Sequence, residues 1–141
     1  MTRFSPALLL VLLALGCATR ATAPAGAGKT GIELTGTSWR LVELGGAAAL
    51  GDVEATLEFP EAGKASGRAS CNRFSGAVEI SGSSIRFGPL AATRMSCGAA
   101  ADAQERRYLD ALQAAESFDF DGPALRIDSR GMEKPLRFAR R

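Results

Sequence analysis

The chain has 141 residues, 46% hydrophobic and 23% charged, a balance that fits one ordinary globular domain and lacks the footprint of an acidic disordered tail. Its 17 basic residues against 15 acidic ones leave a net charge of +2, without the basic footprint of a nucleic-acid binder. The absence of histidine excludes Ser-His-Asp and Cys-His catalysis and every His-ligated metal centre.

The first element is a targeting segment. Arg3 and Pro6 precede the apolar run Ala7–Leu15, which ends in Gly16-Cys17. Nine residues span about 14 Å as a helix, under half of a bilayer's roughly 30 Å hydrocarbon core, so the run reads as a signal peptide over 1–16 and not as a membrane span. Leu13-Ala14-Leu15-Gly16-Cys17 resembles a bacterial lipobox, with Ala14 where such motifs usually carry Leu. That resemblance makes Cys17 the diacylated residue and mature N-terminus, with ordinary secretory cleavage as the alternative. Two or three acyl chains, at about 0.8 kcal/mol per buried methylene, make a stable anchor. Ala18 after the cysteine favours, by the enterobacterial sorting pattern it resembles, the outer membrane facing the periplasm. Residues 17–33 then form a lipidated, Ala/Gly/Thr/Pro-rich tether, whose 17 steps from Cys17 to Leu34 reach at most about 60 Å.

The folded domain is expected over 34–141. Thr37–Leu44 reads as a strand with Trp39 and Leu41 on one face, and strict alternation predicts another from Val53 to Phe59. Phe74, Val78 and Ile80 alternate up to a turn at Ser81-Gly82-Ser83, and Ile85 and Phe87 form the return strand. Gly88-Pro89 ends the meander, and Leu90 to Ala101 reads as an irregular link. Asp102-Ala103-Gln104-Glu105 has the form of a capping box, so the one helix is expected to start there and to bury Tyr108, Leu109, Leu112 and Ala115. Phe118, Phe120, Leu125, Ile127, Leu136 and Phe138 predict a three-stranded antiparallel finish. Strands, one helix and strands again give an α+β fold: a small antiparallel barrel-like sheet of about eight strands with the helix packed across it.

With Cys17 assigned to lipid, Cys71 and Cys97 remain as an even pair in a chain exported from the reducing cytosol, and a disulfide follows as the default. A redox-active or metal-binding pair would want CxxC spacing or further ligands. Gly67-Arg68-Ala69-Ser70-Cys71-Asn72-Arg73-Phe74-Ser75-Gly76, then Gly88-Pro89-Leu90 and Thr93-Arg94-Met95-Ser96-Cys97, resemble the META domain family, whose bacterial members include the HslJ-like heat-shock lipoproteins. Trp39, Glu105 and Leu109 reinforce the resemblance, which runs from about Gly36 onward. Ser70 departs from the glycine many members carry before the Cys-Asn pair. The resemblance implies a small α+β, barrel-like envelope domain, often lipid-anchored, linked to stress tolerance, with no established catalytic activity.

Two roles are open to the motif. Asn72 can fold its side chain onto a backbone amide or adopt a left-handed conformation, with Gly67 and Gly76 as permissive neighbours, making a tight corner. Alternatively Asn72, Arg73, Thr93 and Arg94, gathered by the bridge, form a polar recognition patch. Glu58, Glu61, Asp102 and Glu105 are the carboxylates a hydrolase would use, but they fall at strand and cap positions where exposed charge is expected. Arg126, Arg130, Lys134, Arg137, Arg140 and Arg141 could meet anionic lipid, yet Asp121, Asp128 and Glu133 dilute them into a solvated face. Gly28-Lys29-Thr30 lacks the upstream glycine of a phosphate loop, since Ala23 stands there.

The expectation is a non-enzymatic, monomeric, lipid-anchored envelope protein without metal or cofactor. It would bind an envelope protein or ligand as a binding or assembly factor in stress tolerance, for instance through an apolar groove at a barrel end. The alternative is a periplasmic inhibitor of a hydrolase, using Gly45–Gly51 or Ala91–Ala101 as the blocking loop.

Overall fold

The alternating segments close into a barrel. The computed structural model describes residues 34–141; the expected signal segment 1–16, and the anchor and tether at 17–33 with Cys17, lie outside the described residues. In chain order the elements are β1 (Thr37–Leu44), β2 (Ala47–Ala48), β3 (Thr56–Phe59), β4 (Lys64–Arg68), β5 (Arg73–Ser81), β6 (Ser84–Phe87), β7 (Ala91–Ala92), helix α1 (Ala99–Gln113), β8 (Ala115–Asp121), β9 (Ala124–Ser129) and β10 (Leu136–Arg140). Hydrogen bonding runs β10-β9-β8-β6-β5-β4-β3-β1, and β1 returns to β10 through Trp39↔Arg140, Leu41↔Phe138 and Leu44↔Leu136. Eight antiparallel strands thus leave no open edge, the solution small β domains use against edge-to-edge pairing. The expected α+β barrel with one helix is the observed fold.

Period-two alternation sends one set of side chains inward. Trp39, Leu57, Phe59, Ile85, Phe118, Leu125, Ile127, Leu136 and Phe138 are almost wholly buried. Each such side chain contributes roughly 1.5–3 kcal/mol by leaving water. Tyr108 of α1 joins them, its ring edge-on to Phe74 and tilted on Phe138. Burial pushes the Tyr108 phenol well above its ordinary pKa, and the hydroxyl donates to Thr56 O at 3.0 Å.

The up-and-down order sorts strand ends onto two rims. β1 ends, β3 begins, β4 ends and β5 begins at the rim covered by α1, where Gln104 reaches Leu50 N (2.8 Å) and Ser70 Oγ (2.8 Å). The described chain enters at the opposite rim: Leu34 is fully buried there, and Gly36 N donates to Phe59 O at 2.7 Å.

Several expected boundaries move. The strand expected from Val53 begins at Thr56, with Ala55 making only an isolated bridge to Ala69. The helix starts at Ala99, three residues before the expected cap; Gly98 is its N-cap, at φ 101, with no side-chain cap bond. Asp102 caps nothing because its carboxylate turns back to Cys97 N (3.0 Å) and Ser96 Oγ (2.6 Å). Ala115 opens β8 and does not belong to the helix face. The link expected to be irregular over Leu90–Ala101 contains β7, paired to β5, and the first turn of α1.

Candidate functional site

The β4–β5 corner carries the motif. Ser70, not Asn72, takes the left-handed backbone there, at φ 93, where a non-glycine residue is strained by roughly 1–2 kcal/mol. Its hydroxyl accepts from Gln104 Nε2, which offsets part of that cost. Gly67 and Gly76 serve close approach and not turning: a Cβ at Gly67 would lie 2.2 Å from Thr56 O, and one at Gly76 2.8 Å from Pro89 O. Cys71 and Cys97 form the disulfide, with Cα atoms 5.8 Å apart, inside the range such bridges need.

Asn72 is 2% exposed, and its side chain uses every hydrogen-bonding site an amide owns. Oδ1 accepts from Thr93 Oγ1 (2.8 Å) and Met95 N (2.7 Å), while Nδ2 donates to Met95 O (2.9 Å) and Glu105 Oε1 (2.7 Å). The other Glu105 oxygen accepts from Asn72 N (2.8 Å) and Cys71 N (3.2 Å). One asparagine therefore ties the corner, the Thr93–Cys97 loop and α1 together. Asp102 holds the far end of that loop, and the hydrogen bonds from Ser96 and Cys97 lower its carboxyl pKa, with Arg106 adding a smaller pull.

The four residues of the expected patch are brought together but differ in what they offer. Asn72 and the Thr93 hydroxyl are spent internally, since Thr93 Oγ1 also accepts from Arg73 N at 3.2 Å. Arg73 and Arg94 are exposed. Met95 between them is 62% exposed, the one large hydrophobic residue so exposed among the described residues. Sequence reading did not single out Met95, Gln104 or Ser70 as parts of a site. Only the position of Ser70, where glycine is usual, carried a signal.

The carboxylates have structural partners. Glu58 lies 4.0 Å from Arg141, Glu61 pairs with Lys64 (2.6 Å), and Asp102 and Glu105 hold the corner. Among the described residues no three His, Cys, Asp or Glu side chains gather as a metal site. Of the C-terminal arginines, Arg126 pairs with Asp119, Arg130 with Glu116, Arg137 with Asp121 and Arg141 with Glu54. The hydrogen bond from Arg126 lowers the Asp119 pKa. The loop expected at Gly45–Gly51 is half used: Gly45 and Gly46, at φ 62 and 86, make the two-residue β1–β2 turn, and Leu50 is bonded to Gln104.

A META domain model matches residues 32–141, taking in both cysteines, the corner and the closing strands. The chain belongs to the META domain family. Its fold is similar to that of a protein from Burkholderia xenovorans solved by NMR, at 25% identity and a TM-score of 0.63, covering 92% of this chain and 99% of that one. A second NMR structure is similar at 23% identity and a TM-score of 0.64, over 77% of this chain and 92% of that one. No curated protein matches the chain. Within this META domain the Asn72 corner is thus the place where two separated motifs meet.

Proposed function

We propose that this META domain protein is a lipid-anchored, non-catalytic envelope protein, held at Cys17 in the outer membrane facing the periplasm. It acts as a monomeric binding or assembly factor in envelope stress tolerance. The observation that carries the reading is the Cys71–Cys97 disulfide, which belongs to an oxidising compartment, joined to a lipobox-like cysteine upstream. The non-catalytic part draws on the partners of Glu58, Glu61, Asp102 and Glu105: each carboxylate is engaged in an ion pair or a backbone hold.

Intact mass and membrane fractionation of wild type and Cys17→Ser test the anchor. A mass gain of acyl chains lost in the variant, with no free thiols, is expected. A soluble periplasmic species, or two free thiols, contradicts it. The assembly role predicts that the purified protein binds segments of secreted or outer-membrane clients or slows their aggregation, and it fails if neither occurs.

A second reading, inhibition of a hydrolase, draws on the immobilised Thr93–Cys97 loop, since small rigid loops suit the blocking of clefts. Alanine changes within Ala91–Ala101 that leave inhibition intact would sink it.

A further inference from the structure

Met95 combines three features that a surface loop rarely combines. Its side chain is 62% exposed, whereas the other large hydrophobic residues among the described ones are buried or partly so. Its N–H and C=O are both held by the buried Asn72 amide, at 2.7 and 2.9 Å. Two residues on, Cys97 is fixed by the disulfide and by Asp102. A backbone fixed in advance removes much of the ordering cost of binding. Because the main-chain groups of Met95 are already satisfied, this residue cannot add as a strand to a partner's sheet or lie in a cleft as an extended substrate does. Only the side chain is on offer. A thioether on an unbranched, polarizable stem suits insertion into an apolar socket.

The rim of that socket is set by charge. Arg94 and Arg106 border the same open hollow as Met95, and neither has a carboxylate within 4.0 Å among the described residues. Asp102 and Glu105 line the same hollow, but their oxygens are turned to the protein, those of Asp102 to Ser96 and Cys97 and those of Glu105 to Cys71 and Asn72. Arg126, Arg130, Arg137 and Arg141 on the barrel wall all have acidic neighbours, whereas Arg94 and Arg106 are exposed beside Met95 with their charges open to a partner.

Placement decides what kind of surface faces the loop. The tether joins the domain just before β1, at the rim opposite α1. The Met95 loop sits at the α1 rim, the length of β1 away, roughly 23 Å at about 3.3 Å per residue. The loop thus lies at the rim opposite the one where the described chain begins, and a lone methionine buries too little to hold a domain on a bilayer.

We propose that Thr93–Cys97 is a preformed docking knob, with Met95 inserting into an apolar, carboxylate-rimmed socket on another envelope protein and Asn72 acting as its positioning residue. The proposal rests on the binding reading above and supplies its site and partner chemistry.

The test uses the full-length anchored protein in its own envelope, with a diazirine amino acid of methionine's length at position 95 and, as controls, at Ala62 or Glu79. Irradiation should give a discrete protein adduct from position 95 and none from 62 or 79. Arg94→Glu with Arg106→Glu should lower its yield roughly ten-fold or more. Both arginines are exposed, and an unchanged thermal midpoint confirms that the variant folds. Adducts from 62 or 79 but not 95 overturn the knob and leave the binding reading standing. A yield unaffected by charge reversal overturns the acidic rim. An adduct to lipid assigns the loop to the bilayer and overturns the proposal, and no adduct at any position overturns both readings.

Discussion

The barrel wall at β8–β10 and the corner around Asn72 hold together by opposite means. In the wall, Phe118, Leu125, Ile127, Leu136 and Phe138 point inward, while Arg126 pairs with Asp119 and Arg137 with Asp121 on the outer face, where exposed ion pairs are worth under about 1 kcal/mol. Its stability is apolar area, which is non-directional and tolerates substitutions of similar volume. In the corner, Ser70, Asn72 and Gln104 are buried polar residues held by hydrogen bonds of fixed direction, with Glu105 and a disulfide beside them. There a group of the right size and wrong polarity leaves several donors and acceptors without partners. The wall is a scaffold, and the corner is a device that fixes one loop.

The contrast is sharpest in paired substitutions. Leu125→Ala should cost about 2–5 kcal/mol in denaturant unfolding, while Leu125→Met should cost under about 1.5 kcal/mol, because the wall reads volume. Replacing both Cys71 and Cys97 by Ser should cost about 3.5 kcal/mol, the chain entropy of the loop it closes, read from the same unfolding curves against the oxidised protein. Asn72→Ala should cost about 2–3 kcal/mol, and Asn72→Leu at least as much, although leucine keeps asparagine's branched side-chain skeleton. If Asn72→Leu were neutral, the corner would be reading shape and not polarity, and the comparison would collapse.

Ser70 sharpens it further. Ser70→Gly relieves the left-handed strain but removes the partner of Gln104, so the two effects nearly cancel to within about 1 kcal/mol. Ser70→Ala keeps the strain and loses the bond, so it should be less stable than Ser70→Gly by about 1–2 kcal/mol. The smallest effect is at Asp102, whose carboxyl pKa is lowered in the folded state. Its contribution is complete at neutral pH and lost as pH falls through the folded pKa. The thermal midpoint of wild type should therefore exceed that of Asp102→Asn at pH 7, and the gap should close below about pH 4.

The wall was legible in the sequence because alternation is local. The runs through Phe59, Val78, Phe118 and Ile127 carry their inward face in a period of two, and the Gly82 and Gly122 turns mark the hairpins. The closing pair β1–β10 and the β6–β8 seam join segments far apart in the chain, and no local pattern gives such a register. The corner was legible only as a cluster of motifs. Glu105 has the spacing of a capping-box residue, yet its carboxylate lies on Cys71 and Asn72, more than 30 residues away, and Gly98 takes over the helix start. Asn72 does bond a backbone amide, but that of Met95 across the disulfide loop and not of its own turn. Directional bonds between distant segments leave residue types in the sequence, not their partners.

The central claim is that Asn72 fixes an exposed loop, and amide hydrogen exchange at Met95 tests it most directly. The account predicts that the Met95 amide, on a loop open to solvent, exchanges as slowly as amides of the barrel strands, and that Asn72→Ser returns it to the rate of an unprotected loop. A Met95 amide that exchanges freely in the wild-type protein would contradict it.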